Sequence, residues 1–132
     1  MRTTHTAARL VLPALFVGAA SVIASPGSAT ATVTNLVVAK PSTGSAYGTG
    51  CTYDVSAAVD ASGNHPVLVE GGATNDLVVL DVQNTKGALI TFKWTPKAEG
   101  VRLIGIRQDG NYKLKTVAVK KGINTGSSCF AL

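Results

Sequence analysis

Beyond residue 32, the apolar residues of this chain come in runs too short for a helix, and several alternate strictly. Cys51 to Val59 is the most regular: Cys51, Tyr53, Val55, Ala57 and Val59 share one parity, Thr52, Asp54 and Ser56 the other. Successive side chains of an extended strand point to opposite faces, so this pattern describes a strand with one face buried and one in water. Six further runs rich in Val, Ile, Leu and Thr occupy 33–39, 66–70, 77–82, 88–94, 101–108 and 112–119, separated by Gly, Asn, Asp, Ser and Pro. Seven short strands at this spacing predict an all-β fold, a two-sheet Greek-key sandwich.

The parities assign side chains to faces. Ile90, Phe92 and Trp94 are expected inside, with Thr91 and Lys93 outside, and Trp94-Thr95-Pro96 acts as a core anchor and strand stop. In 77–82 the expected inward set is Val78, Leu80 and Val82, because Asp81 must face water. Asp109-Gly110-Asn111 is a tight hairpin signal. The last run holds a conflict: Tyr112 and Leu114 have one parity, Val117 and Val119 the other. Both pairs can face inward only if a residue is inserted, so a β-bulge is expected near Lys115-Thr116.

Residues 1–31 have the pattern of a secretory signal peptide. Arg2 and Arg9 supply a positive start, Leu10 to Ala24 an apolar stretch, and Ala29-Thr30-Ala31 a small-x-small cleavage pattern. The apolar stretch is interrupted by Pro13 and falls short of the roughly twenty residues a membrane span needs. The expectation is a signal peptide at 1–31 and a secreted, extracellular domain at 32–132, with no membrane anchor. The whole chain counts 12 Lys and Arg against 7 Asp and Glu; without Arg2 and Arg9 the balance is 10 against 7, a net of +3. That is too weak to argue for nucleic acid or a membrane surface.

Export also interprets the two cysteines, Cys51 and Cys129. Disulfides persist outside the cell, and a domain of about one hundred residues gains from a covalent staple. In a Greek-key sandwich the last strand runs alongside the first in the same direction. The end of the last strand and the start of the second then lie at one pole. Cys51 and Cys129 are expected to meet there, rather than across the middle of the sandwich.

Two motifs carry a family resemblance. Asp60-Ala61-Ser62-Gly63-Asn64-His65-Pro66-Val67 and Phe92-Lys93-Trp94-Thr95-Pro96-Lys97-Ala98-Glu99-Gly100 have the order and separation of two turns in bacterial immunoglobulin-like domains. On these motifs the stretch from Leu36 to Lys121 resembles that family of invasin-type and related surface proteins. The resemblance implies a single immunoglobulin-like domain from a bacterium. It departs from the family at Arg102, where an aromatic is usual; on the inward parity Arg102 would have to reach past the sandwich rim.

Sequence chemistry is sparse. His65 is the one histidine beyond residue 31 and sits in a turn, with no nucleophile tied to it by any motif. Asp60, Ser62 and Asn64 lack the acid count of a calcium loop, and Asp60 fits a turn-forming role better. No enzyme activity, metal or cofactor is expected. Lys113 and Lys115, followed by Lys120 and Lys121, fit charges that protect a strand edge; with Arg107 they could instead meet an acidic polymer. The leading expectation is a monomeric, non-enzymatic binding domain whose partner is a protein or a cell-surface polymer. Its contact surface would be the loops Ser62 to Pro66 and Asp109 to Asn111, or a patch of Val101, Leu103, Arg107 and Lys113. The alternatives are a carrier of a small apolar ligand and a protease inhibitor. The first needs an apolar cleft, the second a disulfide-stapled convex loop.

Overall fold

The computed structural model describes residues 32–72, 76–84 and 87–132, so the expected leader, 1–31, lies outside the described residues. Those residues form ten strands and no helix. They are β1 (Thr34–Val38), β2 (Tyr47–Gly48), β3 (Tyr53–Ala58), β4 (Val67–Gly71), β5 (Val78–Val82), β6 (Leu89–Trp94), β7 (Gly100–Gln108), β8 (Asn111–Lys120), β9 (Gly122–Asn124) and β10 (Cys129–Ala131). A three-stranded sheet, β1-β3-β6, faces a five-stranded sheet, β2-β8-β7-β4-β5, and β9 pairs with β10 in a C-terminal hairpin. The result is an all-β, sandwich-like fold.

Period-two alternation builds the core. β3 contributes Tyr53, Val55 and Ala57, β6 contributes Ile90, Phe92 and Trp94, and the larger sheet answers with Leu68, Ile104, Ile106, Val117 and Val119. Each fully buried Val, Leu, Ile or Phe stabilises the fold by about 1.5–3 kcal/mol relative to exposure. Pro96 is buried two residues beyond the end of β6, as a strand stop requires. Arg102 keeps the inward parity, opposite Val117. Its Nε donates to Glu70 Oε1 at 3.0 Å, and Glu70 is only 7% exposed. The guanidinium is thus accommodated by a buried carboxylate near the rim.

Two expectations fail. β8 has no bulge: its pairing with β7 runs unbroken from Gly100↔Val119 to Gln108↔Asn111. Val117 and Val119 point inward, while Tyr112 and Leu114 occupy the opposite face; on the inward parity Lys113 and Lys115 are exposed. The strand changes which of its faces is apolar along its length. The irregularities fall elsewhere: in β1, where Asn35 adopts φ 53°, and in β5, at the step opposite Leu68 and Val69. The inward set Val78, Leu80 and Val82 is also wrong, because every residue of β5 is exposed. β5 is the edge of a five-stranded sheet, and three strands opposite cannot cover five.

The staple lies where topology placed it. Cys51 and Cys129 are bonded, with Cα atoms 5.6 Å apart. Tyr47 and Gly48 of β2 pair in parallel with Val119 and Lys120 at the end of β8, and Thr49 N–H donates to the Lys120 carbonyl at 2.9 Å. The tail then crosses so closely that a Cβ on Gly122 would stand 2.0 Å from the Thr49 carbonyl oxygen. Beside the disulfide pole, Tyr47, Tyr53 and Trp94 form an aromatic cluster with ring centroids 4.7–5.8 Å apart. Burial and the neighbouring Tyr53 push the Tyr47 phenol up from its ordinary value.

Candidate functional site

The sandwich has two outer faces, and they are built from different chemistry. On the three-stranded sheet, cross-strand neighbours are polar pairs. Asp54 and Lys93 form an ion pair at 2.5 Å, the Ser56 and Thr91 hydroxyls share a hydrogen bond of 2.8 Å, and so do those of Thr52 and Thr95. Val37 and Leu89 are the large apolar side chains exposed among them. Such pairs are how a sheet face solvates itself while gaining a little cross-strand stabilisation.

The outer face of the five-stranded sheet has almost none of this. Strand register lays its residues out in rows, because paired residues of neighbouring strands share a face. The central row runs Leu114, Gly105, Val69, Val79, and the next towards the β7–β8 turn runs Tyr112, Arg107, Val67, Val82. On the other side come Thr116, Leu103 and Gly71, then Ala118 and Val101. Arg107 is the only charged group in these rows, and Lys120, which shares the parity of Ala118, stands exposed beyond them at the end of β8. Val101 is 56% exposed, and Val79, Val82 and Tyr112 are exposed as well. At the centre Val69 is only 1% exposed yet stands outside the core cluster. Leu114 explains part of this: its Cδ2 leans over Gly105, which lies between Leu114 and Val69 in the row.

Gly105 is required where it sits. A Cβ there would stand 1.9 Å from the Lys113 carbonyl oxygen. Only glycine lets β7 and β8 approach at this point.

The patch expected from sequence is therefore brought together in part. Val101, Leu103 and Arg107 share this face on β7, whereas Lys113 pairs with Ile106 and lies on the opposite parity. Val67, Val69, Val79, Val82, Tyr112 and Leu114 also belong to the face and were missed. Their signal was present: Val67-Leu68-Val69 and Val78-Val79-Leu80 are apolar on both parities, the pattern of strands covered on both sides.

The two loops expected to offer contacts meet at one pole and are fastened to each other. Asp109 Oδ2 accepts the Asn64 backbone N–H at 2.9 Å, and its Oδ1 accepts from the Asn64 side-chain amide. The buried Gln108 donates to the carbonyls of Asp60 and Asn64, both at 2.8 Å, and accepts from the Asp60 N–H at 3.0 Å. Asp60 Oδ1 accepts from the Ser62 hydroxyl and N–H at 2.7 and 2.8 Å, the turn-forming role expected of it. Those two bonds hold the Asp60 carboxyl below its ordinary value. Much of the polar capacity of this pole is used internally. His65 is exposed beside it. Among the described residues no group of three His, Cys, Asp or Glu is placed to hold a metal ion.

A groove of about 420 Å³ opens at the disulfide pole and is rimmed by Ser42, Thr52, Asp54, Lys93 and Ser128. A second groove of about 420 Å³, between the segment after β1 and the end of β8, is lined by Pro41, Tyr47, Val117 and Ala118 among others. No family model, curated protein or solved structure matches this chain.

Proposed function

We propose that this chain is a secreted, non-enzymatic binding domain of immunoglobulin-like fold, engaging a protein partner through the outer face of its five-stranded sheet. The carrying observation is the contrast between the two outer faces, one laced with polar pairs and the other apolar from Val101 to Val82. The largest contiguous apolar patch on a soluble domain is often its binding surface. The immunoglobulin-like reading draws support from the division of the first strand between sheets, β1 with β3 and β2 parallel to β8. It also draws on the two turn motifs, at 60–67 and 92–100. A polymeric acidic partner fits less well, because the described cations of this face, Arg107 and Lys120, stand at its two ends and Lys113 and Lys115 belong to the other parity.

The test immobilises the oxidised protein and passes over it the culture medium and surface extract of its producer. Leu103→Lys should lose what the wild type retains, and Thr91→Lys, on the polar face, should keep it. Equal retention by all three proteins would overturn the reading. Sequencing the N-terminus of the protein recovered from medium checks the export expectation: a start near Thr32 supports cleavage after Ala31.

A further inference from the structure

We infer that the occupant of the apolar face is a second copy of this chain, stacked sheet to sheet. This rests on the reading of that face as a binding surface. Both parities of β4 and β5 carry apolar residues, and β4 uses both: Leu68 packs into the core while Val69 is buried on the outer face. β5 has the same composition, but on its outer parity Val79 and Val82 are left exposed. A single chain leaves this strand unfinished.

Size favours a copy of the same domain. Four strands about 4.8 Å apart, rising about 3.3 Å per residue over about seven residues, give a face of roughly 440 Å². Two such faces together bury about 900 Å², just under the roughly 1,000 Å² of a firm interface, so the pairing is a weak, concentration-dependent one. Sheets stacked in this way stand about 10 Å apart, the spacing the same strands already use inside the sandwich. The contact would be isologous, each patch meeting its own copy across a twofold axis. The chemistry allows it: the face holds no carboxylate that must find a cation, and Arg107, at one end, has Tyr112 beside it in the array. An Arg over the partner's aromatic ring is a favourable contact.

Edge-to-edge pairing through β5 is the other way two copies could join, and a local device opposes it. Asp81 Oδ1 accepts the Val82 N–H at 2.8 Å, occupying a backbone donor that an added strand would need. An aspartate on an edge strand also resists such pairing. The face, not the edge, is left to associate.

Sedimentation of the oxidised protein from about 1 to 500 µM, a range that spans weak to firm association, tests this. The expected result is a rise to twice the chain mass for the wild type and for Thr91→Lys. Val101→Lys and Leu103→Lys should weaken association at least tenfold, with aromatic circular dichroism unchanged; Val101 is exposed enough that its substitution leaves the fold intact. A wild type that stays at single-chain mass throughout would overturn the inference, as would lysine variants that associate like the wild type. If the wild type is a single chain while retention of another protein remains sensitive to Leu103→Lys, the second copy is wrong and the binding face stands.

Discussion

Reducing the Cys51–Cys129 bond should remove a large share of the stability of the domain. The cysteines are 78 residues apart in sequence, and Cys51 is a buried member of the core cluster. Closing a loop of that length lowers the entropy of the unfolded chain by an amount worth about 4.5 kcal/mol at 25 °C. A domain of this size holds about 5–15 kcal/mol in all, so the loss is a large share of it. With a urea dependence of about 1.5–2 kcal/mol per molar, the unfolding midpoint should fall by about 2–3 M. Trp94 is the sole tryptophan, is fully buried in the aromatic cluster beside the staple, and reports unfolding by fluorescence. Cys51→Ala with Cys129→Ala should reproduce the shift without reductant, which separates loss of the bond from effects of the reagent. A shift below about 0.5 M in both cases would refute the reasoning. The bond would then tether the β9–β10 hairpin without constraining the sandwich.

Gly105→Ala should cost at least about 3 kcal/mol, because its Cβ meets the Lys113 backbone, which cannot yield without breaking the β7–β8 pairing; a urea midpoint near wild type would contradict that geometry. Arg102→Met should cost about 3 kcal/mol at neutral pH by leaving the Glu70 carboxylate buried without its partner, and adding Glu70→Leu should recover most of it. A double variant no more stable than Arg102→Met would show that the pair is not the reason for the loss. The depressed Asp60 carboxyl favours the fold above the pKa it has when unfolded, and that contribution is lost as pH falls through its folded value. Ser62→Ala should raise the Asp60 titration midpoint, read by carbon-13 NMR of the carboxyl, while the backbone N–H bond remains; an unmoved midpoint would mean the Ser62 hydroxyl is not a cause.

What the sequence revealed follows from which forces act locally. The strict alternation of 51–59 and 89–94 named the core side chains of β3 and β6 because one face of each strand meets the other sheet along its full length. The disulfide joins two cysteines 78 residues apart, a pairing the sequence offered as a staple for a small domain. β8 misled because parity identifies a buried face only where another layer lies opposite it, and Lys113 and Lys115 lie where none does. β5 misled for the same reason on a larger scale: Asp81 faces water, but so do its neighbours. The short strands β2, β9 and β10 carry too few residues for any periodicity. Their places are set by the parallel pairing with β8 and by the Cys129 bond, contacts between segments far apart in sequence. The apolar face lay half hidden for a related reason. Val101 and Leu103 were legible on β7, but joining them to Val69, Val79 and Leu114 requires the register of four strands.

The central claim is that the outer face of the five-stranded sheet is covered in the working protein, whereas the face of the three-stranded sheet is not. Methyl relaxation by a soluble paramagnetic chelate, recorded on the oxidised protein at high concentration, measures this residue by residue. In a lone chain Val79, Val82 and Val101 are 43–56% exposed and Val37 and Leu89 59% and 72%, so all five should relax rapidly. The account predicts that Val79, Val82 and Val101 are shielded while Val37 and Leu89 are not. Equal, rapid relaxation of all five would contradict it.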